Sequence, residues 1–188
     1  MAEANGDGST GAQSMAPVTI REMELEDLAT VFAIGESLFR ADEVPNLYRT
    51  WDEYELVDSF SSDGEYCLVA VDDETDRIEG FVLGTVIHKR KGAWTYGYLV
   101  WLGVRPELVG RGVARKLVAR LTDLFIDAGV RLMLVDTDAE NDRAIGFFKR
   151  AGFVNPVNHI YMTRNLTNLP GYRRRRREGG PRLTKKDD

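Results

Sequence analysis

The sequence predicts an α+β fold, a central mixed and mostly antiparallel β-sheet flanked by helices. Three observations carry that prediction. EYCLVAVDD and RIEGFVLGTVIHK are apolar runs joined by a short acidic turn at Asp73–Asp76, the pattern of an antiparallel hairpin. Ala114, Leu117, Val118, Leu121, Leu124 and Phe125 recur at helical spacing. The continuous apolar run VRLMLVDTD follows that helix, as a strand buried on both faces would.

The remaining elements follow in chain order. VTIREM (18–23) alternates as a short strand, and from Glu26 the spacing of Leu28, Val31, Phe32, Gly35, Leu38 and Phe39 predicts a helix. Pro45 ends the helical pattern, and a second short helix is expected over Trp51–Ser61. SSDGEY is a turn leading into the hairpin. AWTYGYLVWLGV alternates aromatics along a third strand, closed by Pro106. Gly129 caps the long helix, and Asn141 is an N-cap for a helix through Arg150 that stops at Gly152. HIYMTRNL reads as a last strand. The order is β-α-α-β-β-β-α-β-α-β, without internal repeats.

Composition bounds the function. The polar leader 1–17 has no apolar core and reads as disordered, residues 18–166 form the folded domain, and 167–188 form a basic disordered tail. No stretch of about 18 apolar residues exists, so no membrane span is expected. The single cysteine, Cys67, lies in an apolar run. It permits neither an internal disulfide nor a cysteine zinc site, in keeping with a reducing cytoplasm. His88 and His159 are far apart and make no metal motif. The net charge is −5, with +5 in 171–188 and −2 in 1–17, so the body carries −8. An acidic body favours cationic partners over nucleic acid.

The stretch WLGVRPELVGRGVA carries the first chemical signal. It has neither the P-loop form nor the third glycine of a dinucleotide fingerprint, where Arg115 stands. Small residues at 110, 112 and 114 clear side chains from a helix start whose N–H groups and dipole suit a pyrophosphate. Arg111 and Arg115 add positive charge beside it. Tight turns and a solvated helix face are the plainer explanations of the same residues.

Over roughly Val18–Asn165 the chain resembles the GNAT superfamily of N-acyltransferases, through LGVRPELVGRGVARKLV and LVDTDAENDRAIGFFKRAGF. The resemblance implies that acetyl-CoA is the co-substrate and that no metal is needed. It places the pyrophosphate on the loop of Val109, Gly110, Arg111, Gly112, Val113, Ala114 and Arg115. Gly112 and Ala114 match the family loop, and Val109 departs from its Gln or Arg. Leu102, Gly103 and Val104 would pair with the pantetheine arm. Asn141, Ala144, Phe147 and Phe148 match the second motif, except that Phe148 stands where the family has the tyrosine taken to protonate the leaving thiolate. Tyr98 and Tyr161 are the candidate replacements.

Acetyl transfer to an amine also needs a base. Asp136 lies five residues before Asn141, the spacing at which relatives acting on protein N-termini carry a glutamate. Asp138 shares that strand end, and either aspartate could instead cap the following loop. Tyr98 falls where other members keep an acidic base. Acceptor contacts are expected from Phe39, Tyr48, Trp51, Trp94 and Tyr96, with core packing as the alternative for each.

The expected activity is direct acetyl transfer to a primary amine (protein N-terminus, lysine or small amine) in a ternary complex. Its competitors are a catalytically weak CoA sensor, suggested by Phe148 and Val109, and a nucleic-acid-associated protein acting through the Arg-rich tail. Expected partners are the amine acceptor, including a peptide or protein, a second copy of the chain, and RNA or ribosome through residues 173–177.

Overall fold

The computed structural model describes residues 17–39, 50–88, 95–160 and 162–177. It divides into two compact units between Gly152 and Phe153. In the first unit, β1 (Val18–Glu22), β2 (Cys67–Asp72), β3 (Ile78–His88) and β4 (Thr95–Val104) pair antiparallel in sequence order. β5 (Leu132–Val135) then joins β4 in parallel, giving the order β1-β2-β3-β4-β5. A parallel pair needs a crossover. Here it is α3 (Val113–Asp127), closed by Gly129 at φ +73 as the sequence predicts. α1 (Leu28–Leu38) and α2 (Glu53–Asp63) lie between β1 and β2 in the chain, and α4 (Asp142–Arg150) follows β5.

Helices cover both faces of the sheet. On one face Val31 and Ile34 of α1 and Leu56 of α2 pack with Val69, Phe81 and Leu83. Trp51 completes this cluster at 8% exposure, its indole N–H donating to the Phe32 carbonyl at 3.1 Å. Burying an aromatic side chain of this size contributes about 2–3 kcal/mol. Gly35 is what admits it, since a Cβ there would lie 2.1 Å from the Trp51 ring. On the other face Leu117, Leu121 and Phe125 of α3 are buried. Gly97 of β4 lets Phe125 approach, a Cβ there lying 2.4 Å from the ring.

An irregularity in β4 sets the face of every later residue. Leu83 pairs with Trp101 and Gly84 with Leu99, so Val100 is an extra residue in the strand. Side chains alternate along a strand, so one inserted residue exchanges the faces beyond it. Leu99 therefore shares the α3 face with Gly84 and Leu121. Trp101 turns to the opposite face, against Phe39 and Trp51 at ring separations of 4.7 and 5.3 Å.

Two expectations are corrected. VRLMLVDTD is not buried on both faces, for Leu132 and Leu134 are 47% and 44% exposed. The Met133 sulfur accepts from Thr122 of α3, so α3 covers only the Met133 face, and β5 ends the sheet. HIYMTRNL is no strand at its described residues 159–160 and 162–166, and Ile160 and Met162 are exposed. Asn155 in the left-handed region and Pro156, which has no N–H for a ladder, stand just before it. In the second unit, Pro170–Arg177 forms a short helix, α5, where the charge pattern suggests no structure. Pro170 suits its first position, and Asn165 caps the turn before it through the Thr167 amide at 2.9 Å.

Candidate active site

β5 pairs with β4 only from Tyr96 to Leu99, where the ladder ends at Val135. β4 continues to Val104 with β3 on one side and no paired strand on the other among the described residues. Past this fork, Leu102–Val104 give about 10 Å of extended backbone that an elongated ligand with its own amides can line. Gly103 within it is buried, and a Cβ there would lie 2.7 Å from the Phe81 ring. Leu102 and Val104 are half-buried.

The open edge runs directly into the loop before α3. Arg105 fixes that junction. Its amide donates to the Glu79 carbonyl at 2.9 Å, its Nε donates to the Ile78 carbonyl at 3.0 Å, and the Glu79 carboxylate lies 3.5 Å away. A short turn at Pro106–Leu108 follows, then Gly110 and Gly112, both at φ +85. L-residues rarely adopt that conformation, so glycine is required at both positions. The first bond of α3 runs from the Lys116 amide to the Gly112 carbonyl, so the amides of Val113 and Ala114 are not used within the helix. The Lys116 ammonium donates to the Val18 carbonyl at 3.0 Å and ties the helix start to β1. Arg111 is half-buried and Arg115 exposed at the same end, and Val109 is 42% exposed.

At the fork two candidate catalytic residues meet. The Tyr98 hydroxyl donates to Oδ1 of Asp136. The register explains it, for Tyr98 pairs with Leu134 and Asp136 lies two residues on, on the same side. Tyr98 pairs with Thr85, whose face is that of Phe81, Leu83 and Trp101. The Tyr98–Asp136 pair therefore shares the α1–α2 face, opposite α3. Asp138, its rival in the sequence, is a loop residue that accepts from the Glu140 amide at 2.8 Å.

Asn141 caps α4 as predicted, accepting from the Ala144 amide at 3.0 Å. Phe148 is buried against Phe147 with ring centroids 5.2 Å apart, and Ala144 is half-buried on the same helix. Phe148 thus packs like any apolar helix residue. Among the acceptor candidates, Trp51 is sealed in the core, and Phe39 packs on Trp51, Trp101 and Phe81. Tyr96 is half-buried on the Tyr98 face. Tyr48, Trp94 and Tyr161 lie outside the described residues.

Sequence reasoning missed two features. The extra residue Val100 leaves no signature, because VWLGV alternates equally well with or without it. Glu55 of α2 accepts from the Trp101 indole at 3.2 Å. Only its position three residues after the cap Asp52 marked it, as a helix-start residue.

A profile of the acetyltransferase (GNAT) family matches residues 32–153, more than half of the chain. The chain belongs to that family. N-alpha-acetyltransferase 30 of Schizosaccharomyces pombe is 32% identical to this GNAT chain over 92 residues, 47% of the chain and 57% of that protein. The match therefore spans little more than half the length of that relative. Among solved structures, an aminoglycoside acetyltransferase from an uncultured soil metagenomic sample, in complex with sisomicin, superposes with TM-score 0.62. It is 19% identical and covers 79% of this chain and 97% of its own. The NatC complex bound to Gag peptide and CoA superposes with TM-score 0.60 at 20% identity, covering 82% and 92%. Both likenesses concern the fold, and neither selects an acceptor.

The residues of this GNAT chain fit CoA. The left-handed glycines let backbone approach a pyrophosphate, and the helix start offers unused amides and the positive end of its dipole. The strand edge of β4 beyond β5 offers peptide groups to an amide-bearing arm, and the Tyr98–Asp136 pair lies where β4 and β5 part.

Proposed function

We infer that the chain transfers an acetyl group from acetyl-CoA directly to a primary amine, with the α-amine of a peptide or protein as the favoured acceptor. The observation that supports this most is the coincidence at one fork of an open strand edge, a glycine-bearing helix start and a hydrogen-bonded Tyr–Asp pair. Bound acetyl-CoA supplies an activated thioester whose acyl carbon the amine attacks.

This chain's residues would hold and deprotonate the acceptor. The Tyr98 hydroxyl donates to Asp136, and a phenolic oxygen that donates can also accept a proton from an ammonium. The hydroxyl can then pass its own proton to the carboxylate, so a tyrosine, a poor base alone, works as a relay. The departing thiolate needs no dedicated acid, since a thiol of pKa about 8.5 costs only about 2 kcal/mol to leave ionised at neutral pH. Phe148 is compatible with turnover on that ground.

The amine's own ionisation decides between acceptors. Deprotonating an α-amine of pKa about 8 at pH 7 costs about 1.4 kcal/mol, against about 4.6 kcal/mol for a lysine of pKa about 10.4. A single Tyr–Asp relay suits the first. No helix among the described residues is long and apolar enough to cross a membrane, and the proposed setting is the cytoplasm.

The test is CoA thiol release from acetyl-CoA with a panel of peptides, lysine-bearing peptides, polyamines and aminoglycosides, beside direct acetyl-CoA binding. Turnover concentrated in peptide N-termini supports the reading. Binding without turnover across the panel would support a CoA sensor, and the absence of binding would refute both.

A further inference from the structure

We propose that Glu55 is an acceptor-binding residue that selects acceptors carrying a second positive charge beyond the amine being acetylated. The proposal rests on the acetyltransferase reading above and names the substrate class of that same site.

Glu55 occupies the third position of α2, where a glutamate ordinarily turns back to the amide of the capping residue. Half of that arrangement is present: the Asp52 side chain accepts from the Glu55 amide at 2.8 Å. The other half is not, because the Glu55 carboxylate reaches instead to the Trp101 indole N–H on β4. Trp101 cannot easily follow if Glu55 moves. Its ring is wedged between Phe39 and Trp51, and its backbone follows directly on the inserted Val100. The carboxylate is thus held by a rigid partner rather than by the helix it belongs to.

One indole N–H occupies Oε1 and leaves Oε2 to accept from another donor. Glu55 forms no ion pair among the described residues. Trp101 and Tyr98 lie on the same face of β4, opposite Leu83 and Thr85 of β3, which are two positions and so about 7 Å of strand apart. An acceptor whose reacting amine meets the Tyr98 hydroxyl can therefore present a second ammonium or guanidinium to Glu55. The −8 charge of the body adds long-range attraction of the same sign. A basic residue near the N-terminus of a peptide and the far end of a polyamine both supply this chemistry.

The experiment compares kcat/KM for matched acceptors with and without the second charge: peptides with Lys or norleucine at the second and third positions, and a linear diamine against the corresponding monoamine. Glu55→Gln keeps an oxygen for the Trp101 indole and removes only the charge. The wild-type chain is expected to prefer the doubly charged acceptor, and Glu55→Gln to reduce that preference about tenfold, through KM rather than kcat. Trp101→Phe, which removes the indole donor, is expected to lower the preference in the same direction. The effect falls on peptides if the second charge comes from a side chain and on diamines if it comes from a polyamine. A preference unaltered by Glu55→Gln, or an equal loss on both acceptors, would overturn the proposal while leaving the acetyltransferase reading intact. Failure of the wild-type chain to acetylate any acceptor would overturn both.

Discussion

The Tyr98 hydroxyl donates to Oδ1 of Asp136 across the last paired residues of β4 and β5. The pair stands where the two parallel strands part, so a proton taken at Tyr98 has a carboxylate waiting behind it. If this is the acceptor relay, Asp136→Asn lowers kcat about 10²-fold or more, and Tyr98→Phe lowers it by a similar order. Both leave the acetyl-CoA dissociation constant within about twofold, since neither touches the pyrophosphate loop. Steady-state kinetics beside calorimetric binding check this. Weakened acetyl-CoA binding with kcat preserved would reassign the pair to ligand binding.

The loop makes a separate prediction. Gly112 at φ +85 is the N-cap of α3, and Gly129 at φ +73 follows its other end. Valine at position 112 strains the backbone by about 1–2 kcal/mol and displaces the amides expected to hold pyrophosphate. Acetyl-CoA affinity should fall at least about tenfold. Gly129→Ala carries a comparable strain at the wrong end of the helix and should cost stability alone. Equal affinities in the two variants would remove the loop from the binding site.

Stability at low pH turns on Arg21 and Asp27. Asp27 accepts two hydrogen bonds from the Arg21 guanidinium, at 2.6 and 3.0 Å, and one from the Glu24 amide at 2.8 Å. The Arg21 hydrogen bonds, helped by the Glu24 amide, lower the Asp27 pKa against the opposing effect of burial. A depressed carboxylate stabilises the fold above its unfolded pKa of about 3.9 and loses that contribution as pH falls through the folded value. Asp27→Asn is expected to cost about 2 kcal/mol at pH 7 and less below pH of about 4. Urea unfolding at both pH values reads the difference. A deficit that is constant with pH would exclude the carboxylate as its source.

Cys67 should be chemically silent. It is fully buried, and desolvation, with the nearby charges of Asp63 and Glu65, pushes its thiol up to about 12. The thiolate is the reactive form, so a thiol reagent at pH 8 should label Cys67 only after denaturation. Rapid labelling of the native chain would show that the core around β2 opens.

The sequence showed the sheet up to β4, the crossover helix and the caps, because these depend on local alternation, helical spacing, glycine and asparagine. Asp136 and Tyr98 were each legible as candidates, but not as partners, since their pairing depends on the parallel register of β4 with β5. Trp51 read as an acceptor aromatic because a sequence does not tell which tryptophan a glycine makes room for; Gly35 does so here. The exposure of β5 was missed for a related reason, as an apolar run does not reveal whether a helix covers one side or two. The bulge at Val100, and with it the turn of Trp101 toward Glu55, belongs wholly to the pairing of β3 with β4.

The most direct measurement is amide hydrogen exchange of the whole chain with and without saturating CoA. If the fork between β4 and β5 is the CoA site, protection rises in peptides covering residues 100–104 and 110–115, and β1 and β2 exchange as before. CoA binding that protects neither segment would contradict the account.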